Sequence, residues 1–140
     1  MTTAVAAPGA LDDAGKLLLR LAIGALILFH GVAKLRGGLG PIEQAVTAAG
    51  MPAAMASLAY VGEVVAPILV LIGLWTRPAA LVVAIQMVFA IGLVHGGQLL
   101  TIADTGGWAL ELQGLYLFGA IAEALLGAGR YSVAGNGHWN

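Results

Sequence analysis

The chain has 140 residues and a net charge of −1, and 60% of its residues are hydrophobic while only 9% are charged. Ordinary soluble domains carry roughly 25% charged residues, so this composition indicates an integral membrane protein. The few basic residues form no patch for nucleic acid, and the absence of cysteine excludes disulfides, thiol redox chemistry and cysteine-ligated iron–sulfur clusters.

Four apolar runs follow one another along the chain, each close to the ~20 residues that a helix needs to cross a bilayer. They predict spans over about residues 17–35, 53–75, 78–95 and 108–128. The predicted fold is all-α: a polytopic membrane protein whose four transmembrane helices form an antiparallel bundle over residues 17–130. A short cytoplasmic N-terminal segment, 1–16, and a short C-terminal tail, 131–140, flank this domain.

The basic residues near the span ends predict the orientation in the membrane. Lys16, Arg20, Arg77 and Arg130 lie on the side of the two termini, whereas Lys34 and Arg36 lie on the other side. This excess favours cytoplasmic termini by the positive-inside rule.

The loop after the first span contains a predicted amphipathic helix that starts at Pro41 and is ended by Gly50 and Pro52. Its apolar face carries Ile42, Ala45, Val46 and Ala49, so we expect it to lie along the membrane surface. Thr76 and Arg77 form the predicted turn between the second and third spans, which makes those two helices antiparallel neighbours.

Ionisable residues inside apolar spans are costly, so they normally turn toward a protein interior. One candidate ligand pocket in the external half collects His30, Lys34, Tyr60, Glu63, His95 and Glu111. Glu63 is its central residue, because it lies near mid-span one turn before Pro67, which can kink the helix beside a polar cavity. Purely structural roles stay open for the glutamate and the histidines, and Gln86 is predicted to hydrogen-bond between helices.

Small and polar residues also form a stripe on the first span: Arg20, Gly24, Ile27, Gly31 and Lys34. Arg20 and Glu123 lie at the same predicted depth on antiparallel spans, where a structural ion pair would relieve two costly charges. No metal site is predicted, because the His and Glu candidates lack the Glu-x-x-His repeats of di-iron bundles.

Several segments resemble the DoxX family in order and spacing. They are Arg20, HGVAKL at His30 to Leu35, GE at Gly62 and Glu63, GLWTRPAA at Gly73 to Ala80, His95, GGWALEL at Gly106 to Leu112, and GRYS at Gly129 to Ser132. The resemblance covers residues 16–133 and implies a four-helix protein of the bacterial inner membrane. Founding members are associated with a terminal quinol oxidase and with thiosulfate:quinone oxidoreduction, and others with oxidative-stress complexes.

Two functional hypotheses follow. In the first, the chain is the membrane subunit of a quinone-linked oxidoreductase and not an enzyme alone: a quinone binds in the pocket centred on Glu63, and a partner redox protein supplies electrons. In the second, the chain is a non-enzymatic scaffold or assembly factor for a larger membrane complex. The lipid bilayer surrounds it in both cases, and the GxxxG of Gly92 and Gly96 suits packing within the bundle or in a homo-oligomer.

Overall fold

The computed structural model describes residues 9–135 and 137–140, and this part of the chain is helical without a strand. Its helices are α1 (Ala10–Gly37), α2 (Gly40–Ala48), α3 (Ala53–Ile72), α4 (Thr76–Val94) and α5 (Glu111–Leu126). The helix α3 is composite, since a 3₁₀ segment, Ala53–Ser57, begins it and a π-helical turn, Val61–Val65, interrupts it. A single 3₁₀ turn, Gly96–Gln98, follows α4.

Three helices, α1, α3 and α4, are long and apolar enough to cross a membrane. The predicted fourth span, 108–128, contains the shorter α5 of 16 residues. At 1.5 Å per residue α5 is about 24 Å long, less than the ~30 Å of the hydrocarbon layer. The all-α membrane fold is confirmed, but the fourth span was predicted too long. The residues before Glu111 fold back, and the indole of Trp108 donates a hydrogen bond to the Leu99 carbonyl at 2.8 Å.

Two other predicted boundaries move in the structure. The helix α1 begins at Ala10 and so takes in part of the predicted segment 1–16, of which residues 1–8 lie outside the described residues. Asp12 and Asp13 in its first turn suit the positive end of a helix dipole. The turn between α3 and α4 lies at residues 73–75 and not at Thr76 and Arg77, which already belong to α4.

The helices pack through small and branched residues. Helix α4 packs on α3 and α5, and α1 packs on α3 and α5. The hydrophobic core of the protein includes Ile27, Val70, Ala80, Val83 and Ala120. Many large apolar side chains are exposed on the outer surface, as expected where helices face lipid. Examples are Phe29, Ile85, Val88, Phe118 and Leu125.

Candidate functional site

Glu63 lies in a buried polar cluster between α1, α3 and α4. Its Oε2 pairs with the ammonium group of Lys34, and its Oε1 accepts a hydrogen bond from Nε2 of Gln86 at 3.2 Å. Glu63 is only 4% exposed. A buried carboxylate is costly unless it is paired and hydrogen-bonded, and here both of its oxygens have a donor.

The backbone of α3 brings Glu63 to Lys34. Within the π-helical turn Val61–Val65, the N–H of Ala66 donates to the carbonyl of Val61. Pro67 has no N–H to donate to the Glu63 carbonyl oxygen four residues earlier. This oxygen faces Gly31 of α1, where a Cβ atom would overlap it. Glycine therefore allows the close approach of α1, and Lys34 follows about one turn later on the same face.

A second glycine makes room for Gln86. A Cβ atom at Gly62 would lie 2.6 Å from Cβ and Cγ of Gln86, so only glycine lets the Gln86 side chain cross this part of α3. The hydrogen bond from Gln86 to Glu63 confirms the prediction that Gln86 bonds between helices.

An apolar cavity of about 240 Å³ borders the Lys34–Glu63 pair. Its polar lining consists of Lys34, Glu63, Gln86 and His95. Its apolar walls come from three helices and include Ile42 and Val46 of α2, Met55 and Leu58 of α3, and Phe89 and Val94 of α4. The apolar face of α2, which we expected along the membrane surface, thus covers this cavity.

A smaller cavity of about 130 Å³, which has relatively more polar residues in its lining and is called the polar cavity below, lies beside the same pair. It shares Lys34, Glu63, Ala90 and His95 with the apolar cavity, and its own polar lining consists of His30, Gln113 and Tyr116. The His30 ring meets the Tyr116 ring edge-on at a centroid distance of 5.9 Å. Nε2 of Gln113 lies 3.4 Å from Nε2 of His95. The ion pair therefore stands between an apolar and a more polar space.

The six predicted pocket residues fall into two groups. Lys34, Glu63 and His95 line both cavities, and His30 lines the polar one. Tyr60 is half-buried with its hydroxyl 3.5 Å from the Lys34 carbonyl, and Glu111 is exposed in the first turn of α5. In the described part of the chain, these last two line neither cavity. No three His, Asp or Glu side chains among residues 9–135 and 137–140 are placed to hold a metal ion.

Comparison with known proteins identifies the family. The DoxX family model matches residues 15–96. The chain belongs to the DoxX family. An uncharacterized protein of Haemophilus influenzae is 32% identical to this DoxX chain over 111 residues, which cover 71% of this chain and 76% of that protein. No solved structure matches the chain. The residues matched by the family model include Lys34, Glu63, Gln86 and His95.

The two side chains of the predicted Arg20–Glu123 ion pair make no direct hydrogen bond with each other. Both side chains are buried, with Arg20 3% and Glu123 0% exposed. Arg20 donates to the carbonyls of Ala128 at 3.0 Å and Tyr131 at 2.6 Å. Within the described residues, Nε of Arg20 and both oxygens of Glu123 have no hydrogen-bond partner, although the two charges interact electrostatically. Because α5 ends at Leu126, the carbonyls of Ala128 and Tyr131 lie outside the helix and can accept these hydrogen bonds.

Asp13 has a structural role that its position in the sequence did not indicate. Its carboxylate is buried and accepts hydrogen bonds from Nε of Arg130 at 2.7 Å and from the Arg130 backbone N–H at 3.0 Å. The side-chain hydrogen bond to Asp13 raises the pKa of Arg130, so this guanidinium stays charged. The sequence held one indication of this contact, since Arg130 of the GRYS segment had no assigned acidic partner. These contacts join the start of α1 to the chain after α5.

Proposed function

We propose that this DoxX protein is the membrane subunit of a quinone-linked redox system and that it holds a quinone in the apolar cavity. The observation that carries the proposal is the position of the Lys34–Glu63–Gln86 cluster at the edge of a 240 Å³ cavity with otherwise mainly apolar walls. Ligand sites commonly combine apolar walls with a few polar groups that orient the ligand.

The cluster suits the head group of a quinone. A quinone presents two carbonyl oxygens, and both the Lys34 ammonium and the Gln86 amide are hydrogen-bond donors. The isoprenoid tail would lie against Met55, Leu58 and Phe89, which line the cavity yet are also exposed on the outer surface. A lipophilic molecule could therefore enter this cavity from the bilayer without crossing water.

Turnover would require a partner. Reduction of a quinone to a quinol takes two electrons and two protons, and this cysteine-free chain has no thiol chemistry to supply the electrons. Electrons would come from a partner redox protein. Glu63 and His95 line the cavity and are the side chains of this chain that would hold or release the protons.

We also propose that the protein lies in a bacterial inner membrane with both termini in the cytoplasm. Support comes from the basic residues that gather at one end of the bundle. Arg20 donates to the Tyr131 carbonyl and Arg130 donates to Asp13, so both arginines bond to residues near the ends of the chain. Arg77 donates to two of the last carbonyls of α5, those of Ala124 and Leu125. An excess of basic residues marks the cytoplasmic side.

The test is a quinone titration of the purified protein with a variant that fills the cavity. Ala90 lines both cavities, so Ala90→Phe should weaken binding of ubiquinone or menaquinone by at least about tenfold, or ~1.4 kcal/mol. The matched control is Ile85→Phe on the same helix, whose side chain is 56% exposed and lines neither cavity in the described part of the chain. Equal affinities for the wild type and Ala90→Phe would contradict the proposal.

The scaffold hypothesis makes a different prediction in the same variants. A scaffold should retain a crosslinked partner protein in Ala90→Phe, since the cavity has no part in that contact. Loss of quinone binding with full partner retention and loss of electron transfer would support the redox subunit. Full electron transfer in a variant that no longer binds quinone would favour the scaffold.

A further inference from the structure

The polar edge of the two cavities carries a balanced charge. Lys34 and Glu63 are the formally charged residues that line either cavity in the described part of the chain, and they pair with each other. The other ionisable side chains in these walls are His30, His95 and Tyr116. The charges of Lys34 and Glu63 cancel, so this pair gives the walls no net charge.

A charged ligand would meet no free countercharge in this site. An anionic head group would have to draw Lys34 away from Glu63 and leave a buried carboxylate unpaired, which is costly. A cationic head group would have to draw Glu63 away from Lys34 and leave the ammonium group unpaired. An uncharged head group that accepts hydrogen bonds can approach the pair without breaking it, because an ammonium group has three donors.

The entry route adds to this discrimination. Leu58, Phe89 and Val94 line the apolar cavity and are each about half exposed on the outer surface of the helices. A ligand that enters between them leaves the hydrocarbon layer and not the aqueous phase. Charged head groups stay at the membrane surface because their transfer into hydrocarbon is unfavourable.

We propose that the Lys34–Glu63 pair makes the site selective for uncharged lipophiles and against anionic or cationic amphiphiles of the same chain length. This inference rests on the proposed function, in that it names the ligand class of the same cavity. Selectivity arises from the pairing of two charges within the protein, so removing one of them should change which ligand charge the site accepts.

The experiment uses the full-length protein in a non-ionic detergent and measures bound ligand by native mass spectrometry. The probes share a decyl chain: decylubiquinone and decanol are uncharged, decanesulfonate is anionic and decyltrimethylammonium is cationic. Wild-type protein should bind both uncharged probes at least about tenfold more tightly than either charged probe.

Charge variants then test the cause. Glu63→Gln leaves Lys34 unpaired and should raise affinity for decanesulfonate by about tenfold. Lys34→Met leaves Glu63 unpaired and should instead raise affinity for decyltrimethylammonium. The double variant Lys34→Met/Glu63→Gln has no charge at either position and should again prefer the uncharged probes, which keeps the test valid if a single variant fails to fold. Glu43→Gln is the matched control, because Glu43 is exposed on α2 and lines neither cavity among the described residues.

The outcomes separate this inference from the proposed function. Equal wild-type affinities for decanol and decanesulfonate would overturn the charge selectivity, while quinone binding could still stand. Binding of decanol without decylubiquinone would refute the quinone proposal and support the selectivity. A Glu63→Gln variant that folds and gains no affinity for decanesulfonate would also overturn the inference.

Discussion

The buried glutamates Glu63 and Glu123 of this DoxX protein differ in their hydrogen bonding. Both oxygens of Glu63 have donors, from Lys34 and Gln86, whereas neither oxygen of Glu123 has a hydrogen-bond partner in the described residues. Glu123 instead lies in the electrostatic field of Arg20, whose donors are directed at the carbonyls of Ala128 and Tyr131. We therefore expect Arg20 to contribute more to the stability of the protein than Glu123.

The difference predicts unequal effects of substitution. Arg20→Met should lower stability by about 3 kcal/mol or more, because it leaves Glu123 without a nearby cation and the carbonyls of Ala128 and Tyr131 without their donor. Glu123→Gln should cost less, since the carboxylate makes no hydrogen bond that the amide would lose. Thermal unfolding of the purified variants in mild detergent measures both effects.

A control on the same helix is available. Lys16 forms an ion pair with Asp12 four residues earlier at 2.9 Å, and Asp12 is about half exposed. A pair of this kind contributes only about 0.5 kcal/mol, so Lys16→Met should shift the melting temperature little. A larger loss for Glu123→Gln than for Arg20→Met would mean that the carboxylate has partners that the structure does not give it.

At the scale of the elements, the sequence predicted which face of α1 is buried better than it predicted which side chains contact each other. The stripe of Arg20, Gly24, Ile27 and Gly31 is the buried face of α1, as its three- and four-residue spacing predicted. The sequence predicted Lys34 and Glu63 in one candidate pocket, but the pairing of these two side chains did not follow from spacing alone. It depends on the π-helical turn Val61–Val65 and on the contact of Gly31 with the Glu63 carbonyl, and neither feature changes the periodicity of the sequence.

That contact predicts a strong effect of one methyl group. Gly31→Ala should force α1 away from α3, because its Cβ would overlap the Glu63 carbonyl, and should lower the melting temperature and quinone affinity together. Gly15→Ala is the matched control on α1, since nothing lies within 4 Å of a Cβ atom there. It should be neutral or stabilising by roughly 0.5–1 kcal/mol, because alanine favours a helix over glycine. Equal melting temperatures for the two variants would refute the close approach.

At the scale of the whole molecule, hydropathy located every long helix but not the segments that connect and end them. The predicted span includes the residues before α5 because Trp108, Ala109 and Leu110 are apolar. In the structure this segment turns back on the α4–α5 loop, where the N–H of Ala109 donates to the Thr101 carbonyl at 3.0 Å. Such pairings within a loop are not visible in hydropathy, because a window averages over the residues that pair.

The short α5 raises the question of whether it crosses the bilayer, and the cysteine-free chain allows a direct test. We expect α5 to cross, because the chain after it bonds to the start of α1 through Arg130 and Asp13. The ~6 Å shortfall can be met by local thinning of the bilayer. Asp104→Cys in the α4–α5 loop and Val133→Cys in the tail, both exposed, should react with a membrane-impermeant thiol reagent from opposite sides of sealed vesicles. Phe118→Cys, on the outer surface of α5, should react from neither side. Labelling of the first two from the same side would show that α5 does not span.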